Sequence, residues 1–147
     1  MSLQHPDASL NDLPPLRPIK VLLIEDSLVL SERLRELLTQ LPDVELVGSA
    51  DSETDAIALA RAVSADAIIL DLHLRQGTGF GVIRALRNMQ EPPQIIVLTN
   101  YALPQYRRQA ESLGVHYFLD KAREFHSISD VLRVIGDHRD DGGRSLQ

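Results

Sequence analysis

Several short apolar runs in this chain end in groups able to do polar chemistry. Val21-Leu22-Leu23-Ile24 leads into Glu25-Asp26, and Ala67-Ile68-Ile69-Leu70 leads into Asp71. Ile95-Ile96-Val97-Leu98 ends in Thr99, and Tyr117-Phe118-Leu119 ends in Asp120-Lys121. If these runs are neighbouring parallel strands, their carboxyl ends share the edge of the sheet where ligands bind. Carboxylates, a hydroxyl and an ammonium then meet in one crevice. Two carboxylates about 4 Å apart repel by roughly 4 kcal/mol at an effective dielectric near 20, so three need a cation between them. Oxygen-only ligands suit Mg²⁺, and neither a histidine pair nor a thiolate is spaced for zinc. A carboxylate beside such a cation can attack a phosphoryl group and become an aspartyl phosphate. Lys121 would balance charge on the transferring oxygens and Thr99 would hydrogen-bond one of them.

Each group also has an ordinary structural use. Asp26 or Ser27 is placed to N-cap the next helix, Thr99 to close a strand and Lys121 to charge a loop. Asp71 is harder to assign in that way, because the next strong helix signal comes several residues later. It is the ordered set that points to chemistry.

Positioning such a set demands an alternating chain, and the hydrophobic pattern supplies one. Buried strands are predicted at about 20–25, 44–49, 67–71, 94–99 and 116–120. Between them Leu30, Leu34, Leu37, Leu38 and Leu41 make a first apolar stripe at helical spacing. A second helix opens at Ser52 with Asp55 in a variant capping box and buries Ala56, Leu59, Ala60 and Val63. A third runs from Thr78 to Met89 and stops before Pro92-Pro93; a fourth runs from Leu103 to Leu113 and ends at Gly114. A fifth carries Phe125, Ile128, Val131, Leu132 and Ile135. Strict βα alternation in five units predicts an α/β fold: a doubly wound, flavodoxin-like sheet of five parallel strands, order 2-1-3-4-5.

Composition agrees with one domain. The chain has 147 residues, 44% of them hydrophobic but only 4% aromatic, so the core should be aliphatic. A net charge of -6 argues against direct nucleic-acid binding. With no cysteine there is neither a disulfide framework nor a thiolate metal site, which agrees with a reducing cytoplasm. No apolar stretch nears the roughly 20 residues of a membrane helix, and none of the secretory kind precedes Arg17. Residues 1–18, with four prolines, read as a flexible leader, 19–137 as the domain, and 138–147 as a frayed tail or linker stub.

At these spacings Glu25-Asp26, Asp71-Leu72-His73-Leu74 with Gly79 downstream, Leu98-Thr99 and Asp120-Lys121 resemble the receiver domains of two-component response regulators. The resemblance covers about residues 19–137. It implies that Asp71 is the phospho-acceptor, and that Asp26, Asp71 and the His73 carbonyl bind Mg²⁺, with Glu25 completing the acidic pair. It further implies that Thr99 is the switch hydroxyl, Lys121 the phosphate-contacting lysine and Phe118 the aromatic that turns inward. His73 and Tyr101 occupy places that flank the path of hydrolytic water; both are bulky rings, so slow self-dephosphorylation is expected. The implied partner is a sensor histidine kinase or phosphotransfer protein, and the output is a changed surface on the fourth helix, fifth strand and fifth helix, a candidate for homodimerisation.

The sequence departs from that family pattern where Arg75 and Ala122 replace common prolines; a cis bond before Ala122 would cost about 2.5–4 kcal/mol, so trans is expected. Asp120 is placed to compete for Lys121. Two other classes fit the acids less well. A Mg²⁺-dependent phosphohydrolase of the haloacid-dehalogenase kind places Asp-x-Asp on its first strand, where this chain reads Glu25-Asp26-Ser27. An unphosphorylated interaction module would not need the complete acidic set. The chain is therefore not expected to be an enzyme beyond its own phosphorylation and slow dephosphorylation. Gly77-Thr78-Gly79-Phe80-Gly81 looks like a phosphate loop, but it does not directly follow a strand and lacks the P-loop lysine. Tyr106, Arg107 and Arg108 read as a solvated helix face. After residue 137 there is no helix-turn-helix or catalytic pattern, which fits a stand-alone receiver or part of a longer regulator.

Overall fold

The computed structural model describes residues 17–145, so most of the expected leader lies outside the described residues. Five strands alternate with five helices: β1 (Ile19–Ile24), α1 (Leu28–Thr39), β2 (Val44–Ala50), α2 (Glu53–Ala62), β3 (Ala67–Leu70), α3 (Gly79–Leu86), β4 (Gln94–Thr99), α4 (Pro104–Ser112), β5 (Tyr117–Asp120) and α5 (Ser127–Ser145). A single helical turn, Lys121–Glu124, lies between β5 and α5. The strands form one sheet in the order β2-β1-β3-β4-β5, and every adjacent pair is parallel. This is the flavodoxin-like arrangement.

Side-chain alternation along the central strands divides the core in two. Val21, Leu23, Ile69, Ile96 and Leu98 pack with Leu34 and Leu38 of α1 and with Ile128, Leu132 and Ile135 of α5. Leu22, Ile24, Ile68, Leu70 and Val97 face the other way, onto Ala56 and Ala60 of α2, Val82, Ile83 and Leu86 of α3, and Ala110 of α4. Each large aliphatic side chain so buried contributes about 1.5–3 kcal/mol. The core is aliphatic apart from Phe118 and Phe125, in line with the low aromatic content.

Local capping sets where the helices start. Ser27, Ser52 and Thr78 are N-caps whose hydroxyls accept from Leu30, Asp55 and Gly81 backbone N–H groups at 3.3, 3.2 and 3.2 Å. Ser27 therefore does the capping that was open between it and Asp26. The third helix is shorter than its pattern suggests, ending at Leu86 instead of Met89.

α5 runs through Gly136 to Ser145, so a helical segment spans the boundary expected at residue 137. Gly136 is a contact residue: a Cβ there would come within 2.7 Å of the Ile19 side chain. It lets α5 lie close on the start of β1. Three residues later, the Arg139 guanidinium donates to the carbonyls of Arg17 and Pro18 and to Asp66, at 2.6, 3.2 and 2.9 Å.

Candidate functional site

Backbone bonds across the strand ends bring the acids together. The Glu25 N–H donates to the Ala50 carbonyl and the Asp71 N–H donates to the Ile24 carbonyl, both at 3.0 Å. The two residues that follow β1 and β3 are thereby fixed side by side. Gly79 lies directly against the backbone of Asp71 and Leu72, and a Cβ there would collide with the Asp71 carbonyl. Its own N–H donates to the Leu72 carbonyl at 2.9 Å.

Glu25 and Asp71 are buried, at 6% and 5% exposure, while Asp26 faces solvent. Lys121 reaches both buried acids: its Nζ is 3.0 Å from Glu25 Oε1 and 3.0 Å from Asp71 Oδ2. Asp71 Oδ1 accepts the His73 N–H at 3.2 Å, and Glu25 Oε2 accepts the Ser27 N–H at 2.9 Å. Thr99 is fully buried at the end of β4, and its hydroxyl accepts the Tyr101 N–H at 3.0 Å. The His73 and Tyr101 rings, which follow Asp71 and Thr99 by two residues each, pack on one another with centroids 4.1 Å apart.

Charge at this mouth is unbalanced. Desolvation by burial is the chief reason the Glu25 carboxyl is pushed above its ordinary value; the Asp71 charge adds to this, and the Ser27 N–H and Lys121 only partly offset it. Burial opposes the charged form of Lys121 as well, but there Asp71 and Glu25 prevail and raise its pKa. Lys121 is thus a firmly held ammonium. Glu25, Asp26 and Asp71 each offer a carboxylate oxygen, all within 4.8 Å of one another. Three carboxylates against one ammonium leave a surplus of negative charge, which a hard divalent cation with retained waters would neutralise. This all-oxygen donor set therefore fits a hard divalent cation such as Mg²⁺.

Two expectations from sequence change. Asp120 does not compete for Lys121: it N-caps the turn after β5, accepting the Ala122 N–H at 2.8 Å, while its own N–H donates to Glu124 at 2.9 Å. That turn takes the place of a proline-containing loop, and there is no cis peptide among the described residues. Tyr106 is not on a solvated face. It packs on the core, with ring centroids 6.0 Å from Phe80 and 6.4 Å from His73. Its spacing to buried Ala110 and half-buried Leu113, four and then three residues, was the legible signal. Arg107 and Arg108 are exposed, as expected, and the Arg107 guanidinium also sits 4.7 Å over the Phe118 ring and donates to the Phe118 carbonyl at 3.3 Å. Phe118 is already buried beneath it, at 6% exposure.

Comparison with known proteins agrees with this geometry. The family model described as "Response regulator receiver domain" matches residues 21–133. The sensory transduction protein LytT of Bacillus cereus is 34% identical over 115 residues, which are 78% of this chain and 46% of that protein. A protein-glutamate methylesterase/protein-glutamine glutaminase of Myxococcus xanthus is 40% identical over 86 residues, 58% of this chain and 24% of that one. The chain thus spans less than half the length of either relative. Among solved structures, the response regulatory domain of protein mrkE from Klebsiella pneumoniae matches with a TM-score of 0.75 at 22% identity, over 84% of this chain and 99% of that one. RcsB, solved as dimers bound to DNA, matches with a TM-score of 0.76 at 21% identity, over 83% of this chain and 62% of that one. With the acidic mouth, the half-buried lysine between its acids and the sheet order in place, this chain belongs to the response-regulator receiver domain family.

Proposed function

We propose that this receiver accepts a phosphoryl group on Asp71 from a sensor histidine kinase or phosphotransfer protein in the cytoplasm, and that the modification changes the surface of α4, β5 and α5. The observation that carries this reading is the buried Asp71 carboxylate, with Lys121 Nζ 3.0 Å away and two further carboxylates beside it. An Asp71 oxygen attacks phosphorus in line with the P–N bond of a phosphohistidine. That bond breaks, its electron pair leaves on the imidazole, which takes up a proton, and an acyl phosphate forms. Glu25, Asp26, Asp71 and the His73 carbonyl would hold Mg²⁺, which when bound offsets negative charge on the acids and the transferring oxygens.

The new group brings about -1.5 to -2 charges. Lys121 and Thr99 turn toward it, and Phe118 shifts under α4 as Thr99 moves. Arg107 lies over that ring, so the change reaches the exposed face of α4. The same face is available for homodimerisation. Coupling of about 1–3 kcal/mol changes affinities five- to 150-fold, enough for a signal.

The test is to incubate the protein with Mg²⁺ and a small phosphodonor and measure its mass. One hydroxylamine-labile phosphoryl group is expected on the wild type and none on Asp71→Asn. Full labelling of that variant would refute the acceptor.

A further inference from the structure

The glycine-rich stretch Gly77-Thr78-Gly79-Phe80-Gly81 resembles an anion loop, and the structure already contains its anion. The carboxylate of Glu53, on the first turn of α2, lies between Gly77 and Gly81. Glu53 Oε1 accepts the Thr78 N–H at 2.9 Å. A Cβ on either Gly77 or Gly81 would occupy the space of the Glu53 side chain, and Gly77 also has a φ of +80° that favours glycine. The carboxylate also sits at the amino end of α3, where negative charge is favoured.

Further bonds fasten the same two segments. The Glu53 N–H donates to the Gln76 carbonyl at 2.8 Å, and the Arg75 N–H donates to the Asp51 carbonyl at 3.1 Å. The Thr54 N–H and hydroxyl both donate to Gln76 Oε1, at 3.3 and 3.2 Å. Arg75, which stands where proline is common in this family, adds a 3.0 Å ion pair to Asp51. The held segment returns to the site at once. Thr78 forms an antiparallel bridge with His73, and the His73 N–H donates to Asp71.

We infer that Glu53 is a positioning residue for the phosphorylation site: its carboxylate fills the glycine-rich turn and holds the His73 backbone in register with Asp71. The inference rests on the proposed Mg²⁺ and phosphoryl chemistry for its consequence, but not for its geometry. A displaced His73 carbonyl weakens metal binding without removing any carboxylate from the site. Loss of such an outer support lowers metal affinity by about 10-fold or more.

The experiment compares wild type, Glu53→Ala, Glu53→Gln, Gly81→Ala and the Glu53→Ala/Gly81→Ala double variant, each checked for folding by thermal melt. Mg²⁺ titration followed by amide spectra gives affinity, and amide exchange reads the Thr78 and His73 N–H groups. Glu53→Ala should weaken Mg²⁺ about 10-fold and expose the Thr78 amide to exchange. Glu53→Gln retains an acceptor oxygen and should stay near wild type. Gly81→Ala should act like Glu53→Ala by expelling the carboxylate, and the double variant should be no worse than either single one. Wild-type affinity and unchanged exchange in folded Glu53→Ala would overturn the inference, as would full additivity in the double variant. If the wild type itself binds no Mg²⁺, the proposed function fails instead, and exchange at Thr78 and His73 alone decides the tether.

Discussion

The two edges of this sheet each set carboxylate against long cationic side chains, and they do it in opposite ways. At the carboxyl edge Lys121 faces Glu25 and Asp71 with Asp26 nearby, so like charges are crowded and only partly matched. At the amino edge Asp66 is matched closely. It accepts from Arg139 at 2.9 Å and from the Lys20 N–H at 2.8 Å, and Arg17 lies 3.6 Å away. There Arg139 also gathers the carbonyls of Arg17 and Pro18, tying α5 to the entry of β1. Complementary charge fastens a fold, whereas uncompensated charge stores a capacity to bind and react.

The largest expected effects come from removing one acid at each edge. Asp71→Asn should abolish phosphorylation, yet raise the thermal stability of the metal-free protein, because it relieves repulsion at the mouth. Asp66→Asn should leave the phosphorylation rate unchanged and destabilise by about 1–3 kcal/mol, since Arg139 and Asp66 side chains are only 16% and 20% exposed. Equal destabilisation by both variants in a denaturant titration would erase the distinction between the edges.

Removing the cation at the mouth should sharpen it. Lys121→Met deletes a positive charge that competes for the acids, so Mg²⁺ affinity should rise roughly tenfold, the equivalent of about 1.4 kcal/mol. Phosphoryl acceptance should fall in the same protein. Calorimetric titration together with a phosphorylation time course separates the two, and weaker metal binding would contradict the surplus-charge account.

The ring pair of His73 and Tyr101 sets a smaller effect. His73 and Tyr101 pair ring to ring, centroids 4.1 Å apart, and neither is a carboxylate or carboxamide of the kind that orients an attacking water. Decay of the phosphorylated wild type should be several-fold slower than that of His73→Asn/Tyr101→Glu. Equal or faster decay in the wild type would show that the rings do not shield the bond.

The smallest expected effect is in pH. Glu25 has its folded pKa raised above the ordinary 4.5, first by desolvation. Its contribution to stability is fully present below about that value and is lost as pH rises through the folded value. Asp51 runs the other way. The Arg75 hydrogen bond lowers its pKa from 3.8, so its contribution is present above that value and is lost as pH falls through the folded one. Glu25→Gln should remove the loss above 4.5 and leave the acid side alone, as melts of the metal-free protein across pH would show. A loss that persists in Glu25→Gln would assign it to another group.

Strand-helix alternation, the sheet order and the residues at the strand ends were legible because local periodicity encodes them: apolar runs mark the strands, and a parallel sheet brings their ends to one edge. Ser52 as an N-cap was legible for the same local reason. The helix through Gly136 was less so, because glycine reads as a terminator unless the neighbour that needs its missing Cβ is known, and that neighbour, Ile19, is over a hundred residues away. Asp120 read as a rival for Lys121 because adjacency in sequence does not reveal which N–H a carboxylate will cap. Tyr106 read as solvated because the polar atom at its ring tip conceals the apolar surface it lays on Phe80.

By itself, then, the sequence determined the class of fold and the place of its reactive groups, since both follow from short-range pattern and one topological rule. Only the tertiary structure decided what held those groups in register. The carboxylate that fills the glycine-rich turn comes from Glu53, 24 residues before Gly77, and the cation that secures Asp66 comes from Arg139, 73 residues later. No local spacing records such pairings, because they exist only once two distant segments have been folded against the same sheet.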